Sequence, residues 1–200
     1  MVAEAPTPRE RVRATASKQR LFAAGMQLMG VQGPQSVTVD EIAASAGVSK
    51  GTVYYNFGSK DQMLEAMLDF GTETLLSALH EAASHEDPYQ ALRLMIEVAV
   101  DFIERYPAYA QLLLNERRTE RWAMQLQVLH TQVVEVIERV LVRLVELPSE
   151  LRSTVSAALF GAALFAVRQS ASPQRPGDKD SAVRATMLII DGLMAGGTTR

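Results

Sequence analysis

Two helix-start signals stand close together early in the chain, at Thr38 and Ser49, with Gly47 between them. Thr38 and Glu41 make a T-x-x-E capping box, in which each side chain satisfies a backbone N–H of the other residue. Val37 and Ile42 occupy the positions of a hydrophobic staple across that start, so a helix is predicted over about 39–46. Gly47 suits a turn with positive φ, and Ser49 caps a second short helix, about 50–56. Gly58 breaks it, and Ser59 with Gln62 forms an S-x-x-Q box that opens a long helix over about 60–84. Two short helices joined by a tight, glycine-containing turn form a helix-turn-helix. Ala43 is small where the two helices must cross, and Ile42, Val48 and Val53 can make one small core between them.

The rest of the chain follows the same period. Nearly every ordered stretch repeats its apolar residues at helical spacing, and no segment alternates for long as a strand would, which makes the chain all-α. Residues 1–14 carry two prolines and few large apolar groups and are expected to form a flexible arm. A first helix is predicted over 16–31, with Leu21, Phe22, Met26 and Met29 near one face and Gln32-Gly33-Pro34 ending it. Asp87-Pro88 opens a helix to about Arg105, because proline is tolerated at the first helical position. Further helices are expected from Pro107 to about Asn115, over 120–146, over 149–170 and over 180–195, with a loop at 172–178 and a fraying tail from Gly196. That makes about nine helices in all.

Charge divides the chain. Net charge is −3 overall, but residues 1–60 hold seven Lys/Arg against four Asp/Glu, leaving −6 for the remainder. A basic beginning on an acidic body fits a protein that touches nucleic acid at one end. Cysteine is absent, which excludes disulfides, thiol nucleophiles and Cys-ligated zinc. The start has no signal-peptide core, and the most apolar run, residues 155–167, falls short of the ~20 residues of a membrane span. A cytoplasmic protein with no membrane partner is therefore expected.

The second short helix exposes Lys50, Gly51, Thr52, Tyr54 and Tyr55. Lys, Thr and Tyr bond phosphates and base edges, and Gly51 removes bulk so that backbone can approach a groove. An ordinary helical hairpin packed into a core is the bland alternative; short helices, exposed tyrosines and the local basic excess favour DNA. The whole stretch TVDEIAASAGVSKGTVYYNFGSKDQML resembles the signature of the TetR family of bacterial transcriptional regulators. The likeness runs from about Thr15 through Leu64 and includes a Y-x-x-F-x-S-K junction (Tyr54, Phe57, Ser59, Lys60). Val53 stands where Leu is more usual, and Asn56 where His or Tyr is common.

The resemblance implies an N-terminal three-helix DNA-binding domain over 15–60 and a C-terminal helical ligand-binding and dimerisation domain over 61–200. It also implies a homodimer on a palindromic double-stranded operator, and a repressor released by a small-molecule inducer. Thr38 resembles a phosphate contact, and Lys50, Gly51, Thr52, Tyr54 and Tyr55 resemble the groove-reading set. Lys60 resembles a phosphate clamp, consistent with a lysine at a helix N-terminus. Phe57 is expected to be structural.

For the body, the resemblance implies a pocket enclosed by the helices between 60 and 146, and a dimer seam on the last two. Candidate pocket residues are Met67, Phe70, Met95, Phe102, Tyr106, Tyr109, Leu113, Trp122 and Met124, a set suited to an apolar or aromatic ligand. Candidate seam residues are Ala158, Gly161, Ala162 and Phe165, with Ile190 and Leu193, supported by Met187 and Met194. His80 and His85 fall on different helix faces and are expected at the surface, as is His130 or else in the core. The charge run Glu116–Arg121 is expected to be solvated. Asp178 and Asp180 sit without a partner base, and no H-E-x-x-H, G-x-S-x-G or phosphate loop occurs, so an enzyme is not expected, nor a metal or cofactor. A helical interaction protein without DNA binding is the other alternative, which would show no salt-dependent retention on DNA.

Overall fold

The cap at Thr38 is built as its sequence requires. In the computed structural model its backbone is extended (φ −99°, ψ 157°), its hydroxyl accepts from Glu41 N, and the Glu41 carboxylate accepts from Thr38 N. The structure describes residues 8–33, 36–106, 108–109, 120–170 and 179–197. Among them eight helices follow one another: α1 (Pro8–Gln32), α2 (Val39–Ser45), α3 (Lys50–Phe57), α4 (Lys60–Ala83), α5 (Pro88–Arg105), α6 (Glu120–Leu141), α7 (Ser149–Ser170) and α8 (Lys179–Gly197). The first helix begins at Pro8 rather than near 16, with proline at a position that needs no N–H donor. Most of the short helix expected from Pro107, the charge run up to Thr119 and the loop at 172–178 lie outside the described residues.

The described residues divide into two compact units. One holds the chain through Gly71 together with Tyr106, Ala108 and Tyr109; the other holds 72–105 and the helices from α6 onward. The first unit has its own core. Phe22, Met26, Met29, Val37, Ile42, Val53, Met63 and Tyr109 are all essentially closed to solvent. At its centre the Phe22 ring meets three others edge-on, with centroids 5.5 Å from Phe70, 4.6 Å from Tyr106 and 6.4 Å from Tyr109. Edge-to-face contacts of this kind add about 0.5–1.5 kcal/mol beyond area burial. Two of these rings come from a segment far along the chain, so the N-terminal helices alone do not complete this core.

The second unit packs α5 against α6, α7 and α8, with α7 also lying between α6 and α8. Helix α5 buries one face through Leu92, Met95, Ile96, Val100 and Ile103. The Asp87 carboxylate accepts from Tyr89 N at 2.9 Å and caps α5. Helix α6 stops at Leu141, earlier than its periodicity suggests. Beyond it the chain turns, and the Arg143 guanidinium donates to the carbonyl oxygens of Glu86 (2.6 Å) and His85 (3.3 Å), tying the turn to the α4–α5 connection.

Helix α7 is apolar through its middle, from Val155 to Val167. Mean hydropathy over Ser149–Val167 is 1.3, so length and composition alone would suit a bilayer span, contrary to the estimate from the thirteen-residue run. Its Ser156, Leu159 and Val167 are instead buried in this chain, while Leu151 and Phe165 face solvent.

Gly71 tests the aromatic core. Alanine in a helix interior normally gains ~1 kcal/mol over glycine. A Cβ here would stand 2.7 Å from Tyr109 Cε2 and 2.8 Å from Phe22 Cε2, closer than carbon atoms tolerate. These rings are walled in by one another, and overpacking of this kind costs about 1–3 kcal/mol. Gly71→Ala is therefore expected to lower stability, and chemical denaturation followed by circular dichroism would show it; a gain would mean that the rings move aside freely.

Candidate nucleic-acid interface and effector cavity

The turn between α2 and α3 takes its form from Gly47. Ala46 N donates to Ile42 O (2.9 Å), Gly47 N to Ala44 O (3.1 Å) and Val48 N to Ala43 O (2.9 Å), which closes α2. Gly47 has φ +63°, a conformation that costs a side-chain-bearing residue about 1–2 kcal/mol. Ser49 then caps α3, its hydroxyl accepting from Thr52 N at 3.1 Å.

Val53 is buried to 1% exposure and anchors α3, while Val48 is only half-buried. Lys50, Gly51, Thr52, Tyr54 and Tyr55 are exposed, Tyr55 to 91%. The sequence-predicted groove-reading set is thus wholly exposed, on a helix held by a buried valine. Nothing lies within 4 Å of where a Gly51 Cβ would be, so that position is open. Phe57 is half-buried, and the side chain of Asn56 lies outside the described residues.

Two features of this surface were not legible in the sequence. First, the Thr38 hydroxyl is committed. Its oxygen lies 2.7 Å from Glu41 Oε2, to which it donates, and accepts from Glu41 N at 3.2 Å. These bonds to Thr38, side chain first and backbone second, hold the Glu41 carboxyl below its ordinary value of 4.5, with a smaller contribution from the charge of Lys60. Thr38, Glu41 and the half-buried Lys60 therefore share one neighbourhood, and a phosphate bonded by the Thr38 hydroxyl would compete with Glu41. Second, Lys50 Nζ sits 2.6 Å from Asp40 Oδ2, bridging α3 to α2.

In the second unit an apolar cavity of about 70 Å³ lies among five helices. It is lined by Leu75 and Leu79 of α4, Leu92, Met95, Ile96 and Ala99 of α5, Val133 and Ile137 of α6, Leu159, Phe160 and Ala163 of α7, and Thr186 and Ile190 of α8. The Thr186 hydroxyl donates to Ala182 O at 3.0 Å, so its proton is already used. Of the pocket residues expected from sequence, Met95 lines this cavity. Met67, Phe70, Tyr106 and Tyr109 belong to the other unit, where the last three pack around Phe22 and Met67 lies beside Gly25. Phe102 is buried on α5 without lining the cavity, and Met124 is 68% exposed. Leu113 and the Trp122 side chain lie outside the described residues.

Among the expected seam residues, Ala158 and Phe165 are exposed, and Gly161, Ala162 and Leu193 are half-buried. Ile190 is buried and faces the chain's own cavity; the exposed apolar residues of α8 are Leu188, Ile189 and Met194. Met187 is buried as well. His80 and His85 are exposed on the surface, and His130 stacks edge-on to Phe160 with centroids 5.4 Å apart. Ser156 Oγ is buried without a hydrogen-bond partner among the described residues.

Residues 21–67 match the sequence profile of bacterial regulatory proteins, tetR family. The chain is 29% identical over 176 residues to the HTH-type transcriptional activator FasR of Mycolicibacterium smegmatis, covering 86% of this chain and 80% of that protein. It is 27% identical over 125 residues to the nucleoid occlusion factor SlmA of Vibrio vulnificus, covering 58% of this chain and 64% of SlmA, just under two thirds of its length. A TetR-like transcriptional regulator from Rhodococcus sp. RHA1 has the same fold, with a TM-score of 0.72 at 20% identity over 90% of this chain and 96% of that one. FasR and the Rhodococcus protein are both named as transcriptional regulators.

The committed Thr38 hydroxyl has a measurable consequence. Removing a capping threonine costs about 1 kcal/mol, so Thr38→Ala should destabilise the protein with no DNA present. Glu41 has a lowered pKa in the folded state, so its contribution is present above 4.5 and is lost as pH falls through the folded value. The gap in melting temperature between wild type and Thr38→Ala should accordingly be full at neutral pH and shrink in acid. A gap independent of pH would show that Glu41 does not share in the cap.

Proposed function

We propose that the chain, whose residues 21–67 match the tetR-family profile, is a DNA-binding transcriptional regulator of that family, a repressor released from a palindromic operator by a small-molecule inducer. Residues 15–60 act as the DNA-binding domain and the remainder as the ligand-binding and dimerisation domain. Lys50, Gly51, Thr52, Tyr54 and Tyr55 read the major groove, and Thr38 and Lys60 hold phosphates. DNA is the site of action, which places the protein in the cytoplasm. The observation that carries the inducible part of this reading is the apolar cavity, one wall of which is α4.

A cavity of about 70 Å³ is small. It is roughly half the ~150 Å³ of an engineered apolar cavity that accepts benzene. A ligand of more than a few heavy atoms must therefore push its walls apart. No charged side chain lines it, so recognition rests on apolar contact. Leu75 and Leu79 belong to the same helix, α4, as Lys60. A ligand that displaces the α4 wall thereby disturbs the phosphate clamp. It favours release only as far as it prefers the displaced state, and by linkage DNA must weaken ligand binding by the same factor.

Two copies are needed for a palindrome, with half-sites about 34–36 Å apart. Ala158, Gly161, Ala162 and Phe165 form an i, i+3, i+4, i+7 stripe on α7 whose members are exposed or half-buried. Leu188 and Ile189 of α8 are exposed to 69% and 46%, too apolar a surface to leave in water. These faces form the homodimer seam. A second reading, activation rather than repression, is favoured by the name of the relative FasR. Transcription in vitro from a promoter carrying the operator, recovered by selection from genomic DNA, separates the two: the repressor lowers transcript and the activator raises it.

Among the described residues nothing lies within 4 Å of a Cβ at Gly161, so the first side-chain carbon has room there. Gly161→Leu is expected to shift the protein from dimer to monomer at micromolar concentration in sedimentation velocity while leaving its helicity intact; an unaltered dimer would place the seam elsewhere. For the switch, 1-decanol serves as an apolar probe. It should weaken operator binding, and operator should weaken decanol binding by the same factor, about 5–150-fold. Ala163→Leu, which fills the cavity, should abolish both effects. Equal decanol affinity with and without operator rejects this mechanism.

A further inference from the structure

Lys50 does not stand on the groove-reading surface as an independent cation. Its Nζ is 2.6 Å from Asp40 Oδ2, and the two side chains remain 58% and 55% exposed. The same Nζ lies 5.8 Å from the centroid of the Tyr54 ring. The ammonium is therefore held between a carboxylate on α2 and an aromatic face on α3. The hydrogen bond to Asp40, with its charge second, raises the Lys50 pKa. A lysine ammonium has three donors, so one bond to Asp40 leaves two for a base edge.

An exposed bridge of this kind contributes little to stability. What it alters is the use of a charge. If Lys50 turns to a phosphate, it leaves Asp40 unpaired beside the polyanion. If it stays with Asp40, it keeps a fixed position from which its free donors can meet acceptors such as guanine O6 and N7. We propose that Asp40 is a specificity-determining residue, which holds Lys50 in a base-reading position and counteracts its use as a sequence-independent phosphate binder. The proposal rests on α3 being the groove-reading helix.

Asp40 acts here as a positioning residue, through Lys50. The test is full-length Asp40→Asn, measured by fluorescence anisotropy across a salt series on two duplexes. One has random sequence. The other is selected from a random pool by the wild-type protein. Asp40→Asn frees Lys50, so affinity for the random duplex should rise about tenfold, and the slope of log affinity against log salt should steepen by about one per protomer bound. Affinity for the selected duplex should rise less, so the ratio between the two falls. In a Lys50→Met background, Asp40→Asn should leave that ratio unchanged.

An unaltered slope and ratio in Asp40→Asn overturn the proposal. So does a fall in the ratio that is equally large with Lys50→Met, because Asp40 would then act by repelling phosphate directly. Both side chains are exposed, and coincident thermal melts of variant and wild type establish that the fold is intact. Failure of the wild type to bind either duplex would instead sink the reading of α3 as the DNA helix.

Discussion

Among the described side chains of α3, Val53 is the one buried to exclusion, and the exposed surface of the helix depends on it. A helix of eight residues is too short to be stable alone, since nucleation costs more than so few hydrogen bonds return. It persists because its single apolar anchor enters a core already formed by Val37, Ile42, Met63 and the face of α1. The arrangement also explains why so much of α3 can be exposed. With one residue holding the helix, Lys50, Thr52, Tyr54 and Tyr55 are left for recognition.

That anchor is only as firm as the core receiving it. The core is centred on Phe22, and two of the rings around Phe22 are Tyr106 and Tyr109. The DNA-binding unit is therefore completed by residues that follow α5, well beyond the helix-turn-helix. Close packing makes the joint stiff. Gly71 exists where it does because the rings leave no room for a Cβ. The cavity of the second unit shows the opposite condition, an apolar space that its neighbours leave unfilled. An underpacked space can yield to a ligand, whereas a fully packed core keeps its geometry.

Legibility followed the range of the forces involved. The starts of α2, α3 and α4 were readable to within a residue, because capping is decided by side chains three positions apart. The kink at Gly47 was readable because only the backbone conformation of one residue is at stake. The exposed set on α3 was readable because Val53 is the one aliphatic residue of a short helix and fixes which side meets the core. The ends of α1 and α6 were not. Helix α1 extends back to Pro8, where proline is compatible with a first turn, and α6 ends at Leu141, where Arg143 captures carbonyl oxygens of a distant turn.

The same division holds for the sites. By itself the sequence determined an all-helical chain, the helix-turn-helix, the exposed set on α3 and the likeness to the tetR-family profile, all of which depend on local spacing. Only the tertiary structure decided which large apolar residues line a cavity and which fill a core. Met67, Phe70, Tyr106 and Tyr109 look as suitable for a pocket as Met95 does, but the ring of Phe22 collects three of them. It also turned Ile190 inward while leaving Leu188 and Ile189 outside, and it brought Asp40 to Lys50 across two helices. Apolar attraction is non-directional, and an ion pair acts through space, so neither leaves a fixed interval in the sequence from which its partner can be read.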